Sequence, residues 1–500
     1  MKNNKPNPKA GITRREFVGA AAAATAFTIV PHHVLGRTAP SNLINLAVVG
    51  SGGHGAFTVT QMLKAGGVNV AALCDVDADF ARHVETMEYG NNHITGLYRQ
   101  FPDAPKYKDF RVMLDQEQNN IDAVVVTTPE HTHVSASSMA MKMGKHVYSS
   151  KLLGHNIHEI RLATQLAEQN GLITQMGIGN HTTEIFHQAV EIIQAGDIGE
   201  VREAYVWCDN EWDPYQGPEA WPPRAVRDYN PDGADRQLPE RGPVPDHIDW
   251  DLWLGPAKYH PYPGFGRGLY HPSNWRSWWD FGNGRIGDIG SHAVDLVFWA
   301  LDLKYPLTAE GEGPDRPALE RVPPWQKAIW TFPARGNKPP VTVKWAHGNM
   351  RFDELRHLDL PHEWPVGIHF VGSEGRLTMQ IERGPAGPME LYPKAKFANY
   401  TPPTPTLSRL YGEYRQWIQA IQNDDPTRTE MPFSYSGPLS ETLALGNVAY
   451  RTGQKLEWDA ENLKAVNCPE ADKFIQGSYR PGWELDKPKI PTEDMAEETK

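Results

Sequence analysis

The stretch Leu43-Ile44-Asn45-Leu46-Ala47-Val48-Val49-Gly50-Ser51-Gly52-Gly53-His54-Gly55 decides the fold. Its first seven residues are a mainly aliphatic run, typical of a strand buried on both faces, and G-x-G-x-x-G follows directly. Helical spacing of apolar residues occupies 57–65, and a second aliphatic run at 68–73 ends just before Asp75. This order of strand, glycine turn, helix, strand and acid predicts a dinucleotide-binding βαβ unit.

The glycines of the turn have separate physical roles. Gly50 permits the tight turn, Gly52 lets backbone N–H groups approach a pyrophosphate, and Gly55 lets helix and strand pack closely. The pyrophosphate would lie at the helix N-terminus, where unpaired N–H groups attract an anion. Asp75 is expected to accept hydrogen bonds from a ribose diol and to repel a 2′-phosphate, which favours NAD over NADP. The predicted cofactor contacts are Gly50, Gly52, Gly53, His54, Gly55 and Asp75, and a glycine turn without a ligand is the alternative.

Strands and helices go on alternating to about residue 175, which predicts an α/β Rossmann domain with a doubly wound parallel sheet over 42–175. Residues 176–485 show alternating strand patterns between Gly- and Pro-rich turns. They predict an α+β domain with an open, largely antiparallel sheet, closed by helices at 411–422 and 440–452. A Pro- and Trp-rich excursion at 209–275 interrupts this domain, and 486–500 is expected to be a loose tail.

The first 36 residues carry a targeting pattern rather than a fold pattern. A basic region precedes an apolar run at 18–30 that is too short to span a bilayer. Thr13-Arg14-Arg15-Glu16-Phe17-Val18 resembles a twin-arginine export signal. We expect export to the periplasm or cell envelope, with an uncleaved membrane anchor or a frayed basic terminus as alternatives.

Charge and cysteine content exclude several classes of protein. The formal net charge of −12 argues against nucleic acid or an anionic membrane as the main partner. Three widely spaced cysteines without a C-x-x-C pair support neither a disulfide scaffold nor a cysteine-based zinc site.

A polar loop, Thr127-Thr128-Pro129-Glu130-His131-Thr132-His133, follows the third buried strand at 121–127. Ligands of open parallel sheets bind beyond the carboxyl ends of the strands, so this loop is expected to line the nicotinamide half of the site. Thr128, Pro129 and His133 are the predicted cofactor contacts there. The two histidines are i, i+2 on an extended loop and point apart, so no metal is predicted.

The next strand and its end, Gly144-Lys145-His146-Val147-Tyr148-Ser149-Ser150-Lys151-Leu152-Leu153, bring in a family pattern. Together with the glycine fingerprint and the Pro-x-x-x-His loop, it resembles the Gfo/Idh/MocA oxidoreductases, the glucose-fructose oxidoreductase and inositol dehydrogenase family. In that family the strand ends in Glu-Lys-Pro, and the lysine contacts both the cofactor and the hydroxyl being oxidised. Lys151 matches this lysine, whereas Ser150 and Leu152 replace the glutamate and the proline. The resemblance implies that Lys151 is catalytic, and a solvated strand tip is the alternative.

A second stretch of the same resemblance is Gly287-Asp288-Ile289-Gly290-Ser291-His292-Ala293-Val294-Asp295. The family pattern implies that Asp288 and His292 meet the substrate. If 288–300 is one helix, Asp288, His292 and Asp295 share a face, and all three are candidate substrate contacts. Asp288 is also a candidate catalytic residue, which would hold the histidine or another hydroxyl. His292 is the candidate general acid/base, because an imidazole titrates near neutral pH. A helix cap at Asp288 with a hydrogen-bonded core histidine is the alternative.

Two weaker signals concern the substrate. His181, after the strand pattern at 172–178, is a candidate substrate contact. Nine of the 16 tryptophans fall within 207–299, where they can form a carbohydrate-stacking lid, although most tryptophans serve packing. The segment 248–256 resembles the sequences of a secreted branch of the family, which is found with sugar-degrading systems.

These observations predict an NAD-dependent oxidoreductase that acts on a CH–OH group of a sugar or polyol. Export separates an enzyme from free NAD, so a tightly held cofactor is expected. One alternative is an NAD-dependent glycosidase or lyase that oxidises, eliminates, adds water and reduces again. Another is a non-catalytic sugar-binding protein of the same fold. The resemblance also implies a homo-oligomer.

Overall fold

The computed structural model describes residues 43–87, 92–209, 243–264, 270–272, 274–314, 320–356, 358, 360–361, 363–381 and 387–485. Residues from Ile44 onward form one compact unit. The predicted export segment at 1–36, the tail at 486–500 and most of the excursion at 209–275 lie outside the described residues. Within the described part, no helix combines the length and apolarity needed to cross a bilayer.

The first sheet has six parallel strands in the order β5-β2-β1-β6-β7-β8. The strands are β1 Ile44–Val49, β2 Val68–Cys74, β5 Lys106–Tyr107, β6 Ala123–Val126, β7 His146–Ser150 and β8 Thr174–Gly177, and a separate β3 Val84–Met87 pairs with β4 Asn92–Thr95. All four residues of β6 are buried, as expected for a central strand covered on both faces. β2 pairs with one edge of β1 and β6 pairs with the other edge, so the direction of strand addition reverses at β1. This switch point is where doubly wound sheets bind ligands.

Helices cover both faces of this sheet: Gly53–Ala65, Leu97–Gln100, Phe110–Glu117, Glu130–Lys142 and Ile157–Gln169. The next helix, Glu184–Gln194, packs against the helix Gly290–Leu301. The helix Glu130–Lys142 begins four residues earlier than the apolar pattern indicated, so the predicted extended loop before 134 is wrong from residue 130 onward. Pro129 precedes the first turn, and Glu130 there has the charge that a helix N-terminus favours. His131 and His133 therefore lie on a helix.

The second sheet has nine strands in the order β15-β14-β13-β9-β12-β11-β10-β16-β17. Only the β9–β12 pair is parallel, so the prediction of a largely antiparallel sheet is confirmed. The strands are β9 Val201–Cys208, β10 Thr308–Glu312, β11 Gln326–Phe332, β12 Val341–His347, β13 Val366–Gly372, β14 Arg376–Gln380, β15 Met389–Tyr392, β16 Leu456–Asp459 and β17 Lys464–Ala465. The described α-helices that follow β9 in the chain are Trp250–Leu254, Gly284–Asp288, Gly290–Leu301, Asp353–Arg356, Glu413–Asn423, Phe433–Thr452 and Asp472–Gln476.

Two late helices tie the sheets together. The helix Phe433–Thr452 shares one hydrophobic core with residues of both sheets, among them Val126 of β6 and Trp330 of β11. The helix Glu413–Asn423 instead packs on the other face of the first sheet, where Trp417 joins a core with Leu46. The predicted domain boundaries stay a prediction, but this helix contributes to the core of the first sheet.

The described end of the Trp-rich excursion has a small core of its own. Trp250 and Trp253 stack with ring centroids 4.6 Å apart, and both are buried together with Tyr270 and Phe281. These tryptophans pack against one another, so they do not present open faces to a sugar. Trp212 and Trp221 lie outside the described residues.

The loop after β2 anchors this aromatic segment. The buried Asp77 carboxylate is paired with His247 at 2.9 Å and with His271 at 3.0 Å. Phe80, three residues on, packs edge-on against His271. The aromatic segment is thereby held beside the carboxyl ends of the parallel strands.

Candidate active site

The glycine-rich turn forms a cradle of bare backbone between β1 and the helix Gly53–Ala65. Gly50 has a φ of +90°, a conformation that strains residues carrying a Cβ atom. A Cβ atom on Gly55 would lie 1.8 Å from the Gly50 carbonyl oxygen. Only glycine therefore allows the helix to approach the strand this closely.

The amide groups of the turn are divided between Asp75 and the open helix end. Ser51 N and Gly52 N donate to Asp75 Oδ2 at 2.7 and 2.9 Å, so Asp75 braces the turn, a role that the sequence did not indicate. Burial raises the pKa of this carboxyl above its usual value although the N–H donors oppose that shift. The helix has no side-chain N-cap and no acid in its first turn, which leaves its N–H groups suited to an anion. The cradle fits a dinucleotide pyrophosphate.

An ion pair joins the end of β7 to the second half of the chain. Lys151 Nζ lies 3.1 Å from Asp288 Oδ1, and both side chains keep a small exposed fraction of 16% and 18%. Arg276 Nε lies 3.4 Å from the same oxygen, and Arg285 Nη1 lies 4.0 Å from Asp288 Oδ2. Burial opposes ionisation of Asp288, but the three cations outweigh it and hold the pKa well below its usual value. Asp288 is therefore a carboxylate across the physiological range.

Ser150 and Leu152, which depart from the family pattern, do not prevent Lys151 from reaching this pair. Leu152 is completely buried in the main core, and the Lys151–Leu152 peptide bond is cis. Ser150 is buried, and no described residue hydrogen-bonds to its hydroxyl.

His54 connects the glycine turn with the ion pair. Its ring keeps an exposed surface, yet the surrounding protein removes enough water to lower its pKa to about 3, helped by the positive charges of Lys151 and Arg276. The glycine turn follows β1 and Lys151 follows β7, so both lie at the carboxyl edge of the same parallel sheet, and we call the space between them the recess. His54 is neutral near pH 7.

Thr128, Pro129 and His133 are the predicted cofactor contacts that follow β6. His133 Nδ1 lies 2.7 Å from the Leu152 carbonyl oxygen, and its Nε2 lies 2.8 Å from that of Thr128. The ring is fully buried, and burial lowers its pKa to about 4. His133 thus joins the two loops instead of lining the recess. Thr128 and Pro129 stand at the carboxyl end of β6, where Thr128 Oγ1 accepts from Thr132 at 2.7 Å.

The predicted helix over 288–300 is interrupted. One helix ends at Asp288 and a second begins at Gly290, so Asp288, His292 and Asp295 do not form a single stripe. The glycines at 287 and 290 weaken a continuous helix, and Asp288 is drawn towards Lys151. His292 is half-buried, one turn beyond Asp288.

His181 and Asp295 form a buried pair. His181 Nδ1 lies 2.8 Å from Asp295 Oδ2, and Tyr435 donates to Asp295 Oδ1 at 2.8 Å. The imidazole stacks on Trp299 with ring centroids 3.9 Å apart. The exposed fractions of His181 and Asp295 are 1% and 0%. The structure therefore brings together these two predicted substrate contacts in the interior, as packing partners.

Three polar residues of the recess were missed by the sequence reasoning. Arg276 touches Asp288, and the buried Glu130 accepts from Asn283 N at 2.8 Å and Asn283 Nδ2 at 2.9 Å. Burial raises the pKa of Glu130 to about 7. Glu130 belongs to the Pro-x-x-x-His segment, but its partner Asn283 is 153 residues away in the sequence. No local pattern could therefore have paired the two residues.

The recess thus places a helix N-terminus, a lysine and a charged carboxylate at the switch point of a parallel sheet. Among the described residues, no group of three or more His, Cys, Asp or Glu side chains is placed to hold a metal ion.

Comparison with known proteins finds two matches to models of one family. The family model described as an oxidoreductase family NAD-binding Rossmann fold matches residues 44–178. A second model of the same family, described as its C-terminal alpha/beta domain, matches residues 233–337. Residues 44–178 and 233–337 are thus similar to the two domains of the Gfo/Idh/MocA oxidoreductases. The first sheet is therefore an NAD-binding Rossmann domain, as the glycine turn predicted.

Curated relatives match parts of the chain. A glycosyl hydrolase family 109 protein of Stenotrophomonas maltophilia is 29% identical over 157 residues, which is 31% of this chain and 33% of the relative. The scyllo-inositol 2-dehydrogenase (NAD(+)) of Bacillus subtilis is 31% identical over 83 residues, 17% of this chain and 24% of the relative. The chain spans less than half the length of the curated relatives that it matches.

Solved structures match over most of the chain and show the shared fold. An inositol dehydrogenase homolog of Azotobacter vinelandii, complexed with NADH and myo-inositol, has a TM-score of 0.52 at 16% identity, covering 84% of this chain and 99% of that one. The WlbA dehydrogenase of Bordetella pertussis, in complex with NADH and UDP-GlcNAcA, has a TM-score of 0.52 at 13% identity, covering 83% and 99%.

Proposed function

We propose that this chain is an NAD-dependent oxidoreductase that acts on a CH–OH group of a sugar or polyol. The observation that carries the proposal is the Lys151–Asp288 pair, which lies at the same carboxyl edge of the parallel sheet as the glycine turn. A charged amine beside the cofactor cradle suits an alcohol substrate, because it can hold the hydroxyl oxygen in place.

The cofactor would be held by the glycine turn, by Asp75 and by the carboxyl end of β6. When bound, NAD supplies the hydride acceptor. The turn binds the pyrophosphate through backbone N–H groups, and Thr128 and Pro129 border the nicotinamide end. The carboxylate of Asp75 favours NAD over NADP because it repels a 2′-phosphate.

The side chains of the recess would handle the substrate and its proton. Lys151 donates a hydrogen bond to the reacting hydroxyl, and Asp288 keeps that amine oriented through their ion pair. His292, one turn further along, accepts the hydroxyl proton as general base. Position and electrostatics are therefore the contribution of the protein.

A second candidate function is a redox-neutral glycosidase or lyase. It is favoured by the glycosyl hydrolase family 109 relatives, which match about a third of this chain. Oxidation that is later reversed consumes no NAD, which suits an exported protein.

Export and assembly belong to the same proposal. The segment around Arg14 and Arg15 supports delivery to the periplasm or cell envelope by the twin-arginine route. That route carries folded proteins, so the cofactor would be loaded beforehand and held tightly. The family resemblance supports a homo-oligomer.

The deciding experiment identifies the bound nucleotide and then the reaction. Purified protein is denatured, and the released nucleotide is analysed by mass spectrometry. Protein reconstituted with NAD is then mixed with sugars, polyols and glycosides, and the formation of NADH is followed by its absorbance. NADH formed from a free sugar or polyol supports the dehydrogenase, and sugar released from a glycoside without net NADH selects the second candidate. Binding of sugars without either reaction would leave only the non-catalytic alternative.

A further inference from the structure

A polar cavity of about 250 Å³ lies beside the candidate active site and is separate from it. Its wall includes His155, Trp279, Asn447, Arg451 and Phe474. Lys151, Asp288 and His292 are not among the residues that line it. Asn283 lines the cavity, whereas Glu130, which accepts hydrogen bonds from Asn283, does not.

Arg451 is a residue of the cavity wall whose guanidinium stacks on two aromatic rings. Its guanidinium carbon lies over the ring of Trp279 at 4.8 Å and over that of Phe474 at 3.9 Å. Stacking uses the faces of a guanidinium and leaves its N–H groups, which lie in the plane, for other partners. No residue in the described part of the chain forms a hydrogen bond or an ion pair with it.

An acidic side chain whose charge reaches Arg451 already has other partners. Asp280 is the carboxylate whose charge reaches Arg451, but its Oδ2 lies 2.6 Å from His260 Nε2 and 3.1 Å from Lys258 Nζ. Burial without a close counter-ion lowers the pKa of Arg451 to about 10, so the residue is still a cation near neutral pH. Arg451 is half-buried, and a cation in such a cavity is stabilised by an anion that binds in the plane of its guanidinium.

Asn447 is a second residue of the cavity wall. The buried Oδ1 atom of Asn447 accepts no hydrogen bond from the described residues, while its Nδ2 donates to the Asn283 carbonyl oxygen at 3.1 Å. The amide is therefore fixed through its nitrogen, and its oxygen does not face the cavity. A ligand that suits this wall carries a carboxylate for Arg451 and hydroxyl groups for polar wall residues such as Asn156 and Lys258.

We propose that this cavity is a second binding site, which takes a hydroxy acid of monosaccharide size through a carboxylate on Arg451. A volume of about 250 Å³ is below the usual ~300–1,000 Å³ of drug-sized ligand sites, so one small sugar acid fits and an oligosaccharide does not. A carboxylate matches the planar guanidinium in a bidentate manner. The site does not depend on the proposed reaction.

Binding is measured by isothermal titration calorimetry of the full chain with D-glucuronate, D-glucose and inorganic phosphate. Four proteins are compared: wild type, Arg451→Gln, Lys151→Ala and Arg202→Gln, an exposed arginine paired with Glu200. We expect D-glucuronate to bind the wild type, Arg202→Gln and Lys151→Ala alike, and to bind Arg451→Gln at least ten-fold more weakly. D-glucose and phosphate should bind the wild type at least ten-fold more weakly than D-glucuronate.

Each other result overturns a stated part of the proposal. Equal affinity in Arg451→Gln removes the arginine from the site, and loss of binding in Lys151→Ala moves the ligand to the recess. Phosphate binding as tight as that of D-glucuronate, D-glucose binding that Arg451→Gln weakens equally, or no binding of D-glucuronate refutes the sugar-acid assignment. If Arg451→Gln does not fold, as judged by circular dichroism, Lys473→Glu tests the same charge at an exposed position of the cavity wall and should weaken D-glucuronate binding several-fold. Because calorimetry reads binding alone, failure here leaves the proposed oxidoreductase untouched.

Discussion

Lys151 Nζ lies 3.1 Å from Asp288 Oδ1, across 137 residues of sequence. The lysine follows the fourth predicted strand of the Rossmann sheet, and the aspartate ends a helix of the second half of the chain. The pair therefore joins the end of β7 to a helix of the second half of the chain. Its oxygen is shared with Arg276, which makes Asp288 the point where three cations converge.

Replacement of Lys151 by alanine tests its role in turnover. We expect kcat on the identified substrate to fall by about 10²–10⁴-fold, because the hydroxyl loses its positioned donor, while bound NAD is unchanged. Lys64→Ala, at an exposed position of the helix Gly53–Ala65, is the matched control and should keep wild-type turnover. Full activity of Lys151→Ala would disprove the assignment.

Two histidines should separate turnover from stability. His292→Ala should lower turnover by about 10²–10⁴-fold with little effect on unfolding. His181→Ala leaves the Asp295 carboxyl buried without the imidazole, which should cost about 1–3 kcal/mol of unfolding free energy. Urea denaturation and steady-state kinetics on both variants distinguish the roles. The interpretation fails if His181→Ala loses turnover at unchanged stability.

Local patterns predicted the Rossmann sheet well because each signal is short in sequence. The glycine turn, the buried strand before it and Asp75 all lie within 33 residues, and the structure places them at one switch point. The strand β9 also appears as the alternation indicated.

Contacts over long sequence distances could not be read in this way. Helical spacing suggested that Asp288, His292 and Asp295 share a face, but the break at Ile289 follows from partners elsewhere. Asp288 pairs with Lys151, whereas Asp295 pairs with His181. The Glu130–Asn283 contact likewise has no signature in either segment, since each residue alone looks like an ordinary polar position.

Gly55→Ala tests the cradle. Its Cβ atom would overlap the Gly50 carbonyl oxygen at 1.8 Å, so the helix must shift and its N–H groups leave the pyrophosphate position. We expect the nucleotide content of the purified protein to fall at least ten-fold. Gly179→Ala, whose Cβ atom would meet no neighbour closer than 3.7 Å, should retain its nucleotide. Similar loss in both variants would point to general destabilisation instead.

Asp75→Asn tests cofactor choice. Removal of the negative charge takes away the repulsion of a 2′-phosphate, and the amide still offers an oxygen to the turn. The ratio of Kd for NADP to Kd for NAD should fall at least ten-fold in fluorescence titrations of the nucleotide-free protein. Asp79→Asn, an exposed aspartate of the following loop, should leave the ratio as it is in the wild type. An unchanged ratio in Asp75→Asn would remove this residue from cofactor discrimination.

Glu130→Gln should change how stability depends on pH. Burial raises the pKa of Glu130 to about 7 from an ordinary 4.5, so the folded state binds the proton more tightly than the unfolded state does. The wild type therefore loses stability from this group as the pH rises from about 4.5 through 7, by up to about 1.4 kcal/mol per pH unit. Glutamine keeps an oxygen for Asn283 but does not titrate. Relative to the wild type, Glu130→Gln should thus become more stable between pH 5 and pH 8, as measured by urea midpoints at both pH values. Glu461→Gln, an exposed position, should show the same difference from the wild type at both, and an equally flat difference for Glu130→Gln would mean that Glu130 does not carry a raised pKa.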